Sequence, residues 1–164
     1  MRIMTISLER ALCHMAWANQ KVYSAVETLP EESLKSFVVN EEWTAYEILF
    51  HICNSAGFYV YRLGIGDKPS EIQEPAKIST LRELLEKHDQ NLIAAVNQDD
   101  REIEFNRDGK VFHRWASTIL TQAVHHATEH RAQLIDTLEF KGFKPINLDD
   151  IDLWSFDEFE KTGN

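Results

Sequence analysis

Apolar residues recur at every third or fourth position along four stretches of the chain, the spacing that lines one face of an α-helix. The first stretch runs roughly from Ser7 to Leu29. Leu8, Leu12, Met15, Val22, Val26 and Leu29 share its stripe, and Pro30 stops it. The second runs from Thr44 to Leu63 and has the best-defined start. Thr44 and Glu47 have capping-box spacing, and Trp43 and Ile48 stand where a hydrophobic staple would pack. Gly64 and Gly66 close this helix, with Pro69 just beyond.

The third stretch runs from Thr80 to Asn97, with a second capping-box spacing at Thr80 and Glu83. Leu81, Leu85, His88, Leu92 and Val96 mark its inner face. The fourth runs from Arg114 to Phe140, with Gly142 placed for a left-handed C-terminal residue and Pro145 after it. Between the last two, Asp108-Gly109 separates short β-prone runs and predicts a small β-hairpin. The tail mixes acids with Leu148, Ile151, Leu153, Trp154, Phe156 and Phe159. Its apolar side is expected to pack back on the helices or on a second subunit.

Four such helices in 164 residues predict one all-α domain spanning 1–164, built as a four-helix bundle. The connection from Gly64 to Ser79 is long. Its length allows a reach of about 50 Å when extended, whereas a 20-residue helix spans about 30 Å. A crossover between helices two and three is therefore within reach, and simple up-down-up-down topology is not required.

Composition narrows the partners. The chain carries 27 acidic against 17 basic residues, a formal net charge of -10, and so lacks the footprint of a general nucleic-acid binder. The same charge argues against an anionic membrane surface, while leaving room for a local basic pocket. No run of apolar residues is long enough to span a bilayer, and MRIMTISLERALCHMAW has no continuous apolar stretch of the signal-peptide kind. A cytoplasmic protein is expected. Cys13 and Cys53 fall inside separate helical patterns and are read as reduced and mostly buried.

The chemistry concentrates in histidines. His126 and His130 are i and i+4 on the fourth helix, so two imidazoles project from one face one turn apart. The heptad rows put both beside Leu120, Val124, Ala127, Leu134 and Leu138, near the inner seam. Burying two imidazoles there without partners would cost several kcal/mol, and a shared metal ion removes that cost. A third ligand must come from another helix. His51, on the inner stripe of helix two, is the best candidate, and His88 on helix three competes with it. His125 points about 100° away from His126. His14 and His113 have no comparable spacing and are read as structural or exposed. Three histidines would leave coordination positions open, the arrangement of a catalytic site. Residue type alone does not name the metal. His126-Ala-Thr-Glu129-His130 also fits a zinc-protease pattern, H-x-x-E-H. That reading is rejected, because such enzymes need an acidic ligand well downstream and Glu129 lies off the midline of the two histidines.

The sequence resembles the DinB-like family of metal-binding four-helix proteins over nearly its whole length. Trp17-Ala18-Asn19 followed by Leu29-Pro30 resembles that family's first helix and its exit. Thr44-Ala-Tyr-Glu-Ile-Leu-Phe-His51 resembles its second helix, and His126-Ala-Thr-Glu-His130-Arg131-Ala132-Gln133 is similar to its signature H-x-x-x-H-R-[GA]-Q. His125 departs from the pattern, where an Asn is common. The resemblance implies an up-down-down-up bundle, a metal site of His51, His126 and His130 occupied by zinc or nickel, and a homodimer. Relatives include bacillithiol S-transferases and mycothiol-dependent isomerases.

Two function classes follow. One is a metal-dependent transferase that activates a low-molecular-weight thiol for attack on an electrophilic substrate, with metal-assisted hydrolysis as a variant. The other is a non-enzymatic metal-dependent binding or stress-response module, or a bundle whose metal is structural. Arg131 and Gln133 are candidates to support the ligands, Arg131 by orienting an anionic group and Gln133 by bonding an imidazole or water. The plainer alternatives are a surface ion pair for Arg131 and a core polar contact for Gln133.

Overall fold

Thr44, itself extended, leads from a turn into a helix: its side chain accepts a hydrogen bond from the Glu47 backbone N–H at 3.3 Å. That bond satisfies one of the donors a helix start leaves open. Trp43, just before the cap, packs against the core that contains Ile48, as a staple requires. The computed structural model describes residues 7–69, 72 and 75–163. Its helices are α1 (Leu8–Glu27), α2 (Ala45–Arg62), α3 (Ile78–Ala95), α4 (Ala116–Phe140) and α5 (Leu153–Thr162), and short 3-10 turns cover Glu31–Lys35 and Leu148–Ile151.

Strands β1 (Glu102–Arg107) and β2 (Lys110–Trp115) form the expected hairpin between α3 and α4. Arg107 pairs with Lys110, so Asp108 and Gly109 make a two-residue turn. Both have positive φ, 53° and 74°, which is the left-handed pair that a type I′ hairpin turn demands. Gly142 likewise takes φ 87° after α4, where a side chain would be strained.

Three expectations need correction. Thr80 is not a cap: α3 starts at Ile78, two residues earlier, after an extended Lys77 without a side-chain cap bond. Arg114 and Trp115 belong to β2, paired across the hairpin with Ile103 and Glu102, so α4 starts only at Ala116. The tail contains a fifth helix, which Asp152 caps by accepting from Ser155 N–H at 2.8 Å. Its apolar residues also divide. Phe156 is buried and packs at a tilt against Trp17, whereas Leu148, Leu153 and Trp154 are exposed.

Helix α1 packs against α3 and α4, and α2 packs against the same two. The core has two apolar layers. One joins Val22 and Val26 of α1, Ile48 and Leu49 of α2, Leu81 of α3 and Leu138 of α4. The other joins Leu12 of α1, Val60 of α2, Leu92 of α3 and Ile119 of α4, with Ile103 added from the hairpin. Each large aliphatic side chain buried this way contributes about 1.5–3 kcal/mol. A polar set lies between the layers. On α1, α3 and α4 in turn, Asn19, Asp89 and Arg131 are all buried. None of the described helices is long and apolar enough to cross a membrane.

Candidate metal centre

The face that α2 turns toward α4 begins with Trp43 and continues through His51 to Tyr59. On α4 the matching face carries His126 and His130. Packing of these two helices brings the three imidazoles together. His51 Nε2 lies 2.9 Å from His126 Nε2, and the ring centroids of the three histidines stand 4.4–4.8 Å apart. One nitrogen from each lies within 4.8 Å of the others, a group that could hold a metal ion. Among the described residues no other His, Cys, Asp or Glu group converges in this way. Around a metal with bonds of about 2.0–2.1 Å, neighbouring nitrogens stand about 3.3 Å apart. The observed separations, 2.9 Å between His51 and His126 and no more than 4.8 Å within the group, bracket that distance.

Electrostatics favour the neutral, ligating form of His126 and His51. Burial, and then the neighbouring His130 and His51, pull the pKa of His126 down to about 4. Burial and His130 lower that of His51 in the same direction. Metal ligands must be deprotonated, so rings already neutral at pH 7 lose no proton on binding. Trp43 packs edge-on to both His51 and His130, and Tyr59 edge-on to His126. His130 Nδ1 stands 2.9 Å from Gln133 Oε1, one turn further along α4. With Nδ1 as donor, this bond leaves the His130 Nε2 lone pair free for a metal.

A cavity of about 980 Å³ opens beside the cluster, lined by His51, His126, Ser55, Tyr59 and Gln122 from the helices. Phe105, Arg107 and others on the hairpin close its far side, and Arg62 and Lys68 add positive charge. Glu104 and Asp108 of the hairpin line the same cavity, so its wall is of mixed charge.

The remaining sequence candidates fall elsewhere. His88 is half-buried on α3, and its Nε2 lies close to Gly57 of α2, outside the cluster. His125 is exposed, and His14 is buried with its Nε2 2.8 Å from the Ile151 carbonyl. His113 sits across the hairpin from Glu102 and Glu104. Both cysteines are free, Cys13 partly buried and Cys53 fully, and burial pushes the Cys53 thiol up to about 12. Arg131 is neither at the surface nor facing the cavity. It is 2% exposed, and it donates to Asn19 Oδ1 at 2.7 Å and to Thr128 Oγ1 at 3.1 Å.

Sequence reasoning missed Asp89. Its spacing from Leu81, Leu85 and Leu92 puts an acid on the buried stripe of α3, a visible signal of an internal polar contact. Asp89 Oδ2 accepts from Asn19 Nδ2 at 2.9 Å, and burial raises its pKa to about 7.

These features agree with a comparison of the whole sequence. The DinB family model matches residues 4–158, and the chain belongs to the DinB family. None of the curated proteins matches the chain.

Proposed function

We propose that this protein is a metal-dependent thiol transferase in which His51, His126 and His130 hold one zinc or nickel ion. The observation that carries the reading is the meeting of three imidazole nitrogens, two of them from His51 and His126 on the wall of an open cavity of about 980 Å³. A structural metal would need a closed shell, whereas three protein ligands leave positions for a substrate. When bound, the metal supplies a Lewis-acid centre that favours the thiolate form of a coordinating thiol. The rest falls to the chain. Tyr59 and Trp43 fix the ring planes, Gln133 holds the tautomer of His130, and the cavity receives the electrophile. The sulfur forms a bond to the electrophilic carbon, the leaving group departs with its electron pair, and the thiol proton goes to solvent.

The same reading includes an up-down-down-up four-helix bundle. In its support, one apolar layer joins the end of α1, the starts of α2 and α3 and the end of α4, and the other joins the opposite ends. We also infer a cytoplasmic homodimer. The exposed Leu153 and Trp154 support a self-contact through the C-terminal helix.

Elemental analysis of purified protein tests the ligand set. Near-stoichiometric metal in the wild type and its loss in His126→Ala are expected; equal metal in both would overturn the assignment. The metal-loaded protein is then given cysteine or glutathione with 1-chloro-2,4-dinitrobenzene. Conjugation no faster than with His51→Ala would count against the transferase.

A further inference from the structure

Beside His126, among side chains buried between the helices, lies a small void of about 10 Å³. It touches His126 of α4, Asp89 of α3 and Asn19 of α1, and its other walls are mainly apolar, such as Met15 and Ala123. A space of this size is about that of one water molecule. Asp89 is fully buried, yet its Oδ1 has no hydrogen-bond partner in the protein, while Oδ2 is taken by Asn19. An unpaired buried carboxylate oxygen costs about 1–3 kcal/mol or more, so such an atom calls for a partner. His126 Nε2 faces His51, which leaves Nδ1 as the ring nitrogen without a partner inside the cluster.

We propose that Asp89 is a positioning residue for the metal centre, acting on His126 through one water held in this void. The water accepts from His126 Nδ1–H and donates to Asp89 Oδ1, and Asn19 supplies a third polar wall. No bond to carbon forms or breaks. The link keeps the His126 proton on Nδ1 and the Nε2 lone pair aimed at the metal, as carboxylates behind metal-binding imidazoles do. Asn19 and Arg131 hold the carboxylate in turn: Arg131 donates to Asn19 Oδ1, and Asn19 Nδ2 donates to Asp89 Oδ2. His130 is oriented by Gln133 at the surface and His126 by Asp89 from within.

This inference rests on the proposed metal site, but one of its readouts does not. Wild-type protein carrying 15N-labelled histidine is examined without metal by long-range 1H–15N NMR. His126 is expected to hold its proton on Nδ1; a proton on Nε2 would overturn the link, whatever the metal result.

The second readout is cobalt(II) affinity and the cobalt absorption spectrum at pH 7.5 for wild type and Asp89→Asn. In the variant the amide oxygen must stay opposite Asn19 Nδ2, so the amide NH2 takes the place of Oδ1 and reverses the polarity met by the water. Weakening by about tenfold or more, with a shifted spectrum, is expected. Unchanged affinity and spectrum, beside an altered unfolding midpoint, would make Asp89 merely structural and overturn the proposal. Wild type that binds no cobalt would defeat the metal reading instead, and the NMR tautomer would still decide the link.

Discussion

Asn19 of α1 accepts a hydrogen bond of 2.7 Å from Arg131 of α4, and this bond joins the two segments that carry much of the family resemblance. Trp17-Ala18-Asn19 and His130-Arg131 lie more than a hundred positions apart, yet they meet in the polar layer between two apolar ones. Arg131 thus ties the helix that carries His126 and His130 to α1, and Asn19 passes the connection on to Asp89 of α3.

Removing Asn19 should be costly. In Asn19→Ala the Arg131 guanidinium and the Asp89 carboxyl lose their shared partner while staying buried. A loss of about 3–5 kcal/mol is expected, from two buried hydrogen bonds to charged groups at about 1.5–3 kcal/mol each. Urea unfolding measures it, and a loss below 1 kcal/mol would show that water or a rearranged side chain replaces the amide.

The metal-free protein should respond to pH through two opposing groups. Burial raises Asp89 from 3.8 to about 7 on folding. Between these values the folded chain holds a proton that the unfolded chain has released. The contribution is therefore fully present below the lower value and is lost as pH rises through the upper one. His126 acts in reverse. Its pKa falls from 6.5 to about 4, so its contribution is present above pH 6.5 and is lost as pH falls through 4. Asp89→Asn removes the first group alone. Between pH 4 and 7 the wild type should lose stability relative to this variant as pH rises. Parallel unfolding curves across that range would rule out the raised pKa.

Gln133 is exposed, so its loss should leave folding almost untouched while loosening His130. Gln133→Ala is expected to weaken zinc binding by about 10–100-fold, with stability changed by less than about 0.5 kcal/mol. Competition against a chromophoric chelator reads the first quantity, and urea unfolding the second.

Helix α5 is held by apolar contact more than by charge. Arg10 reaches Glu160 at 2.7 Å, but both side chains are more than a third exposed, and such pairs contribute about 0–1 kcal/mol. Phe156 is 3% exposed against Trp17 and His14, and its truncation to Ala should cost about 3–5 kcal/mol. Unfolding measurements on Arg10→Ala and Phe156→Ala should differ accordingly; equal losses would contradict this account of the docking.

Local signals were legible in the sequence, and relations between helices were not. Thr44 worked as a cap because a cap and its target N–H lie within one turn. Asp108-Gly109 worked because few residues accept two consecutive left-handed positions. Thr80 misled because its side-chain spacing is equally available inside a helix already begun at Ile78. His51 and His88 both stood on inner stripes of their own helices, so spacing left them in competition; the family resemblance favoured His51, and the packing of α2 rather than α3 beside α4 gives the physical reason. The Asn19–Asp89–Arg131 set depends on the rotation of three helices at once, which spacing along any one of them does not encode.

The hairpin between α3 and α4 gives the molecule a division of labour. Helices α2 and α4 carry all three clustered histidines, whereas Glu104, Phe105, Asn106, Arg107 and Asp108 stand on the hairpin and face the same cavity. Of the hairpin's residues only Ile103 is buried. Phe105 also packs against the second apolar layer, whereas the exposed Glu104, Asn106, Arg107 and Asp108 can be exchanged with little effect on the core. The frame that holds the three histidines and the exposed positions of the cavity's hairpin wall are therefore free to diverge at different rates. The lining of the cavity can be redrawn on a single short ribbon while the histidine cluster stays as it is.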